Sequence, residues 1–416
     1  MNWRSEMMQI QPIIAALRRH KAATILIVLQ IALTLAIVSN ALFIVQTRVV
    51  HLSRPTGVDE EHLFVIKNEW VGKLDTAQVD AQMHADLATL RNLPGVRDAF
   101  ASEAYPLGGG WGWLESIKWQ PDKPRHQLAV IYFADEHALT TFGITLIAGR
   151  NFHADEIGRI GLYDPAAPAV VIITRDLAQK LFPDGSALGR TVYLTGGPTT
   201  IIGIVDRLQG PYAGSTTRSI DDDQILVPAY LDDVAHCDYL VRAKPGELQA
   251  TMQAAPKALL ALNHMRVINP DDGMIALTQA RVQSYAGDRG VAIMMGVVCL
   301  MLLLATAGGI IGLSSFWVSQ RRRQIGIRRA LGATRRDILG YFQTENFLIV
   351  TAGVLLGTLL GVAVNLSLMK YWELPRMPLA ALMLGAILLW LLGQLAVLGP
   401  ARRAAAVPPV EATRSL

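Results

Sequence analysis

Cysteine and charge are both scarce in this chain of 416 residues. Its two cysteines, Cys237 and Cys299, are too few for a disulfide framework or a cysteine-rich metal module. Charged residues make up 17% of the sequence, against about 25% in an ordinary soluble domain. With 51% apolar residues and a mean hydropathy of +0.32, the composition excludes disorder and argues against a purely soluble protein. Catalytic signatures are missing as well. There is no G-x-x-x-x-G-K-[ST] phosphate loop, no H-E-x-x-H zinc helix and no G-x-S-x-G elbow. Gly185-Ser186-Ala187-Leu188-Gly189 places its serine one position too early for the elbow. The nine histidines are dispersed without ligand spacing. No catalytic residue, cofactor site or metal site is therefore expected, and any ATP used must be bound by a separate subunit.

What the sequence does contain is long stretches without Asp, Glu, Lys or Arg. They are Ala22–Ile44, Val291–Gln320, Phe347–Met369 and Pro378–Ala401, of 23, 30, 23 and 24 residues. About 20 apolar residues carry a helix across the hydrocarbon core, so each is expected to span a membrane. The first run exceeds the 7–15 residues of a signal-peptide core, so it is expected to stay as an anchor. Charge sets the orientation. The N-terminal segment, the loop between spans two and three, and the tail together hold 14 cations and four acids. By the positive-inside rule these three face the cytoplasm. The long segment between spans one and two carries 22 cations and 29 acids, a net −7, and falls outside. The basic pI thus reports topology, and no nucleic-acid partner is needed.

The expected organisation is an amphipathic N-terminus over residues 1–21 and spans over 22–44, 291–317, 347–369 and 378–399. An external domain covers 45–290, a cytoplasmic segment 318–346, a short external loop 370–377 and a cytoplasmic tail 400–416. Within the external domain, Leu63–Ile66, Val130–Phe133, Val170–Ile173, Thr191–Leu194 and Ile201–Val205 read as buried strands. Thr76–Leu93, Leu177–Phe182 and Leu248–Leu262 read as helices, which together indicate an α+β domain. Asp221-Asp222-Asp223 and Asp232-Asp233 read as solvated acidic loops. Gly353, Gly357 and Gly361 recur every four residues in span three, a spacing that permits close helix packing in lipid. Asn365 and Gln394 are the polar residues expected to bond between spans. Trp111 and Trp113, within a glycine-rich stretch, mark either an external contact loop or a structural turn.

The segment Gln320–Asn346 interleaves seven arginines with Ile325, Ile327, Ala330, Leu331 and Ile338. A plain solvated loop has no use for that apolar component. An amphipathic helix docking on a protein partner has, and so has one lying on lipid. Its residues Arg321-Arg322-Arg323-Gln324-Ile325-Gly326-Ile327-Arg328-Arg329-Ala330-Leu331-Gly332-Ala333-Thr334 resemble the segment between the second and third spans of the MacB/FtsX-like permeases of ABC transporters. Glu345, the closing Pro400-Ala401-Arg402-Arg403 and Pro409-Val410-Glu411-Ala412-Thr413-Arg414 extend the likeness. So do Phe142-Gly143-Ile144, Ala148-Gly149-Arg150 and Ile201-Ile202-Gly203-Ile204-Val205-Asp206 in the external domain. Gln324 departs from the glutamate usual in the family.

The resemblance implies a non-catalytic permease subunit of the bacterial inner membrane with both termini cytoplasmic. Its external domain would combine porter-like βαβ units with a strand-rich subdomain. It implies a cytoplasmic ABC ATPase that binds ATP and Mg, docked on Ile325, Gly326, Arg328, Arg329, Ala330, Gly332 and Ala333. It also implies a second permease chain, identical or not, and a periplasmic adaptor with an outer-membrane channel. Helix movements would pass to the periplasmic domain by mechanotransmission and drive export or extraction of a peptide, lipoprotein or amphiphilic drug. The alternative is an FtsX-like regulator that passes ATPase movements to a cell-wall hydrolase.

Overall fold

The structure, a computed structural model, describes residues 21–71, 75–108, 113–120, 126–161, 164–212, 220–231, 238–372 and 377–408. The expected N-terminal amphipathic helix, Trp111, Asp232-Asp233 and the Pro409–Arg414 motif lie outside them. All four charge-free runs are helical, and the helices outrun the apolar stretches. The first, α1 (Lys21–Leu52), continues eight residues past Ile44. The chain then forms a separate unit over Arg54–Gly287, narrower at both ends than the expected 45–290 because the flanking helices run past the expected ends of their spans in sequence.

That unit begins with β1 (Leu63–Ile66), β2 (Glu69–Trp70), α2 (Thr76–Arg91) and β3 (Val96–Ser102). Next come β4 (Trp113–Ile117), β5 (Gln127–Ala134), α3 (Ala138–Phe142), β6 (Leu146–Gly149) and β7 (Gly158–Ile160). They are followed by β8 (Val170–Thr174), α4 (Arg175–Leu181), β9 (Thr191–Leu194), β10 (Gly197–Val205) and β11 (Gln224–Leu231). Last come β12 (Asp238–Ala243), α5 (Leu248–Leu262), β13 (Arg266–Val267), β14 (Met274–Ala276) and α6 (Leu277–Ser284).

Two main sheets result. One has the order β14-β1-β12-β3, with every pairing antiparallel. Because β1 and β3 both flank β12, they run parallel to each other, and α2 connects them as a split βαβ unit. The other is mixed, ordered β4-β5-β11-β8-β10-β6, with β7 beside β11 and β9 beside β10. Its βα-type character comes from the parallel pairs β5/β11 and β8/β10. The domain is thus α+β, and the whole second sheet is inserted between β3 and β12.

The uninterrupted apolar run of β1 follows from this layering, since a strand covered on both faces needs no alternation. Phe64 and Ile66 pack under α2 and α5 against Leu87, Leu90 and Leu259. Leu63 and Val65 join Tyr132, Phe142 and Leu226 in a core shared with the larger sheet. Asp75 starts α2 by accepting from Gln78 N at 2.8 Å while its own N–H donates to Gln78 Oε1 at 3.2 Å, a capping box. Farther along α2, fully buried Asp86 takes Arg266 at 2.6 and 3.0 Å and the Tyr239 hydroxyl at 2.6 Å. Burying that ion pair is tolerable because the remaining polar atoms are bonded too.

Two expectations are corrected by the structure, and one strand was missed. Asp221, Asp222 and Asp223 are buried rather than solvated. Arg54 pairs with Asp221 at 3.5 Å and with Asp222, and Lys180 Nζ lies 2.5 Å from Asp223. Trp113 sits at the start of β4 opposite Ile131, half-buried and edge-to-face with Phe133 at 5.4 Å, so it is a strand residue. Strand β11, not anticipated, carries Pro228, which argues against a central strand. Its ladder to β8 uses Ile225 and Leu226 and stops before the proline.

The second unit consists of the chain up to Ser53 and from Asp288 onward. Beside α1 it contains α7 (Ala286–Gln320), α8 (Arg322–Ala330), α9 (Arg335–Trp372) and α10 (Leu379–Ala405). Span three and the end of the preceding loop are therefore one continuous helix. The glycine stripe of α9 lies against α1. A Cβ on Gly353 would stand 2.7 Å from Ile31, and one on Gly357 would stand 2.9 Å from the Ala32 carbonyl. Gly361 is looser, at 3.3 Å from Leu382. The Gly361 carbonyl accepts from Asn40 at 3.3 Å, and Thr34 and Thr306 share a hydrogen bond of 2.8 Å. The expected interhelical partners behave otherwise. Asn365 accepts from the Met377 backbone at 3.1 Å, and the buried Gln394 Nε2 has no hydrogen-bond partner among the described residues.

Candidate coupling site

The arginine-rich segment folds as a helix–turn–helix at one end of the membrane unit. Its core is apolar. Ile325 of α8, Ile338 and Phe342 of α9, Ala401, Ala404 and Ala405 of α10, and Val407 form one buried cluster with Val318. The turn is defined by two local motifs. Gly332 N donates to Arg329 O at 3.2 Å and Ala333 N to Arg328 O at 3.0 Å, the paired bonds of a Schellman stop. That stop needs the left-handed backbone of Gly332, with φ +100°. Thr334 then caps α9. Its N–H donates to Asp337 Oδ2 at 2.8 Å, and the Asp337 N–H returns to Thr334 Oγ1 at 3.3 Å.

Three arginines brace this element. Arg321 donates to both oxygens of buried Glu345, at 3.1 and 3.0 Å, and lies 5.8 Å from the Trp317 ring. Arg329 donates to Ala405 O at 3.0 Å, tying α8 to the end of α10. Arg328 sits over the Tyr341 ring at 5.0 Å while remaining exposed.

The seven residues expected to dock a partner therefore divide. Ile325 and Gly326 are buried in the chain's own core. Ala333 is half-buried against the same cluster, and Gly332 makes the turn. Arg329 is engaged as a brace. Arg328 and Ala330 are exposed. The outward apolar positions are instead Ile327 and Leu331, which are 46% and 82% exposed. With Gln324 and Arg328 they stand at i, i+3, i+4 and i+7, a single helical stripe. Both isoleucine and leucine were visible as the loop's apolar component. Which of the two apolar faces turns outward was decided by packing on α9 and α10. Among the described residues, no group of three or more His, Cys, Asp or Glu is placed to hold a metal ion.

Comparison with known proteins places this site in a family context. Residues 24–259 match the family described as MacB-like periplasmic core domain, and residues 296–409 match FtsX-like permease C-terminal. The macrolide export ATP-binding/permease protein MacB of Chromobacterium violaceum is 26% identical over 279 residues, 65% of this chain and 41% of that protein. The uncharacterized ABC transporter permease YvrN of Bacillus subtilis is 24% identical over 294 residues, 68% of this chain and 69% of that protein. The chain thus spans about two fifths of the length of the MacB relative. Among solved structures, the periplasmic region of MacB from Actinobacillus actinomycetemcomitans is similar at 12% identity. It covers 56% of this chain and 97% of that one, with a TM-score of 0.34. The chain belongs to the FtsX-like permeases with a MacB-like periplasmic core domain, a family of ABC transporter permease components with membrane helices and an extracytoplasmic domain.

Proposed function

We propose that this chain is the permease subunit of a bacterial inner-membrane ABC transporter whose ATP is hydrolysed by a separate cytoplasmic ATPase. The observation that supports this best is the solvent-facing stripe Gln324, Ile327, Arg328 and Leu331 on a braced helix. Exposed leucine and isoleucine beside arginine, on an element locked to α9 and α10, suit a protein groove that moves with the nucleotide cycle. Movement of the paired ATPases shifts α7–α9, and the external domain follows. The cargo is a peptide, lipoprotein or amphiphile taken from the outer face of the membrane, and no charged channel through the spans is required. A second permease chain and a periplasmic adaptor with an outer-membrane channel complete the machine.

The test is recovery of the ATPase with tagged chain solubilised from native membranes. Ile327→Glu with Leu331→Glu puts two carboxylates on the docking stripe and is expected to abolish recovery without unfolding the element, since neither side chain is in its core. Undiminished recovery of the ATPase with this variant overturns the assignment of the stripe. Arg329→Glu is a poorer probe, because it breaks the bond to Ala405 O as well.

A further inference from the structure

A groove of about 380 Å³ lies between the start of α9 and the end of α10. Arg335, Arg336 and Arg402 line it, over a floor that includes Leu339 and Ala405, with Gln343 at one end. Among the described residues, no acidic side chain contributes to the lining. All three arginines are exposed, and among the described residues no side-chain hydrogen bond or ion pair engages their guanidinium groups. Three unopposed guanidinium groups around an apolar floor call for an anion on a partly apolar carrier.

Two carriers have that chemistry, a phospholipid and an acidic protein segment, and depth along the helix separates them. Arg335 and Arg336 precede Phe347, where the charge-free run begins, by twelve and eleven residues. At 1.5 Å per residue that is about 17 Å beyond the edge of the hydrocarbon core, and a tilt of about 20–30° leaves roughly 15 Å. The headgroup layer is only about 5–8 Å thick on each side. Side chains on a helix also lean toward its N-terminus, which here carries the two guanidinium groups farther from the bilayer. Arg402, three residues past Gly399, stands about 5 Å out and at headgroup level. A lipid phosphate would reach Arg402 but not the other two.

We infer that this groove is a second docking surface, one that takes an acidic segment of the soluble ATPase subunit and pairs it with Arg335, Arg336 and Arg402. The inference rests on the permease reading above. It adds to that reading the chemistry of the partner: an apolar groove to receive the α8 stripe, and a separate carboxylate-bearing segment.

The experiment uses the full chain in nanodiscs of phosphatidylcholine alone, with the ATPase that co-purifies with the wild-type chain as the probe. The variant R335Q/R336Q/R402Q is expected to bind the ATPase at least tenfold more weakly than wild type and with a shallower salt dependence. R335K/R336K/R402K, which keeps the charge and the topology signal, is expected to recover most of the affinity. Equal binding by wild type and the glutamine variant overturns the inference. So does a wild-type affinity that appears only when phosphatidylglycerol is added, since the groove is then a lipid site. If Ile327→Glu with Leu331→Glu abolishes binding while the glutamine variant binds normally, the inference alone fails. If neither variant changes binding, the permease docking scheme fails with it.

Discussion

Single residues of the external domain already carry measurable consequences, and Glu103 is the clearest. It follows β3, where the chain passes from the smaller sheet to the larger one, and its Oε1 is buried without a partner among the described residues. Burial, aided by the nearby Asp238 carboxylate, pushes its carboxyl from 4.5 up to about 8. The folded chain therefore holds this proton more tightly than the unfolded chain does. The resulting stability is fully present below about pH 4.5 and is lost as pH rises toward 8, by at most about 1.4 kcal/mol per pH unit. Thermal unfolding of the purified chain between pH 5 and 8 should show this decline in wild type, and Glu103→Gln should flatten it. An unchanged slope in the variant would place the pH dependence elsewhere. Asp221–Asp223 carry a related lesson, because nothing local distinguishes an acidic turn in water from one that Arg54 and Lys180 cover.

At the scale of elements, helix packing gives a sharp contrast between glycines of similar sequence context. A methyl group on Gly357 meets Leu35 Cβ at 2.8 Å and the Ala32 carbonyl at 2.9 Å, and the second of these is backbone that cannot rotate away. Gly308 on α7 has nothing within 4 Å. Gly357→Ala is therefore expected to destabilise the detergent-solubilised chain by about 1–3 kcal/mol, and Gly308→Ala to leave it nearly unchanged. Thermal melts that fail to separate the two would mean α1 and α9 part readily. The period of four predicted that the stripe packs, but not that α1 is what it packs on. The coupling segment shows the same division. Its helix was legible from alternating arginine and apolar residues, whereas Ile325 inside and Ile327 outside became distinguishable only once α9 and α10 took one face.

For the whole molecule, the way the two ends of the Arg54–Gly287 unit are tied together is the informative feature. Arg54, just past α1, pairs with Asp221 and Asp222, and its carbonyl accepts from Arg281 of α6. Arg281 also holds Glu60 at 2.5 Å, and Tyr285, just before α7, receives a hydrogen bond from Gln209 at 2.8 Å. The segment leaving one span and the segment leading into the next are thus tied to each other and to the same loops of the domain. Under the proposed mechanism, force from the spans enters the domain through these bonds. Arg54→Ala is expected to preserve assembly and ATP hydrolysis in native membranes while lowering transport. Full transport by this variant would remove Arg54 from the force path.

The sequence by itself determined four membrane helices, the sign of charge on each side of them and an α+β domain between the first two. Those properties are sums over consecutive residues, so no distant partner can alter them. Strand β1 was equally legible, because burial on both faces leaves an unbroken apolar run. Only the tertiary structure decided that β12 returns between β1 and β3 after the whole second sheet, that three aspartates are covered, and which stripe of α8 faces water. Each of these depends on contacts between residues far apart in the chain, where closing the loop costs entropy and packing selects which of several compatible faces is buried.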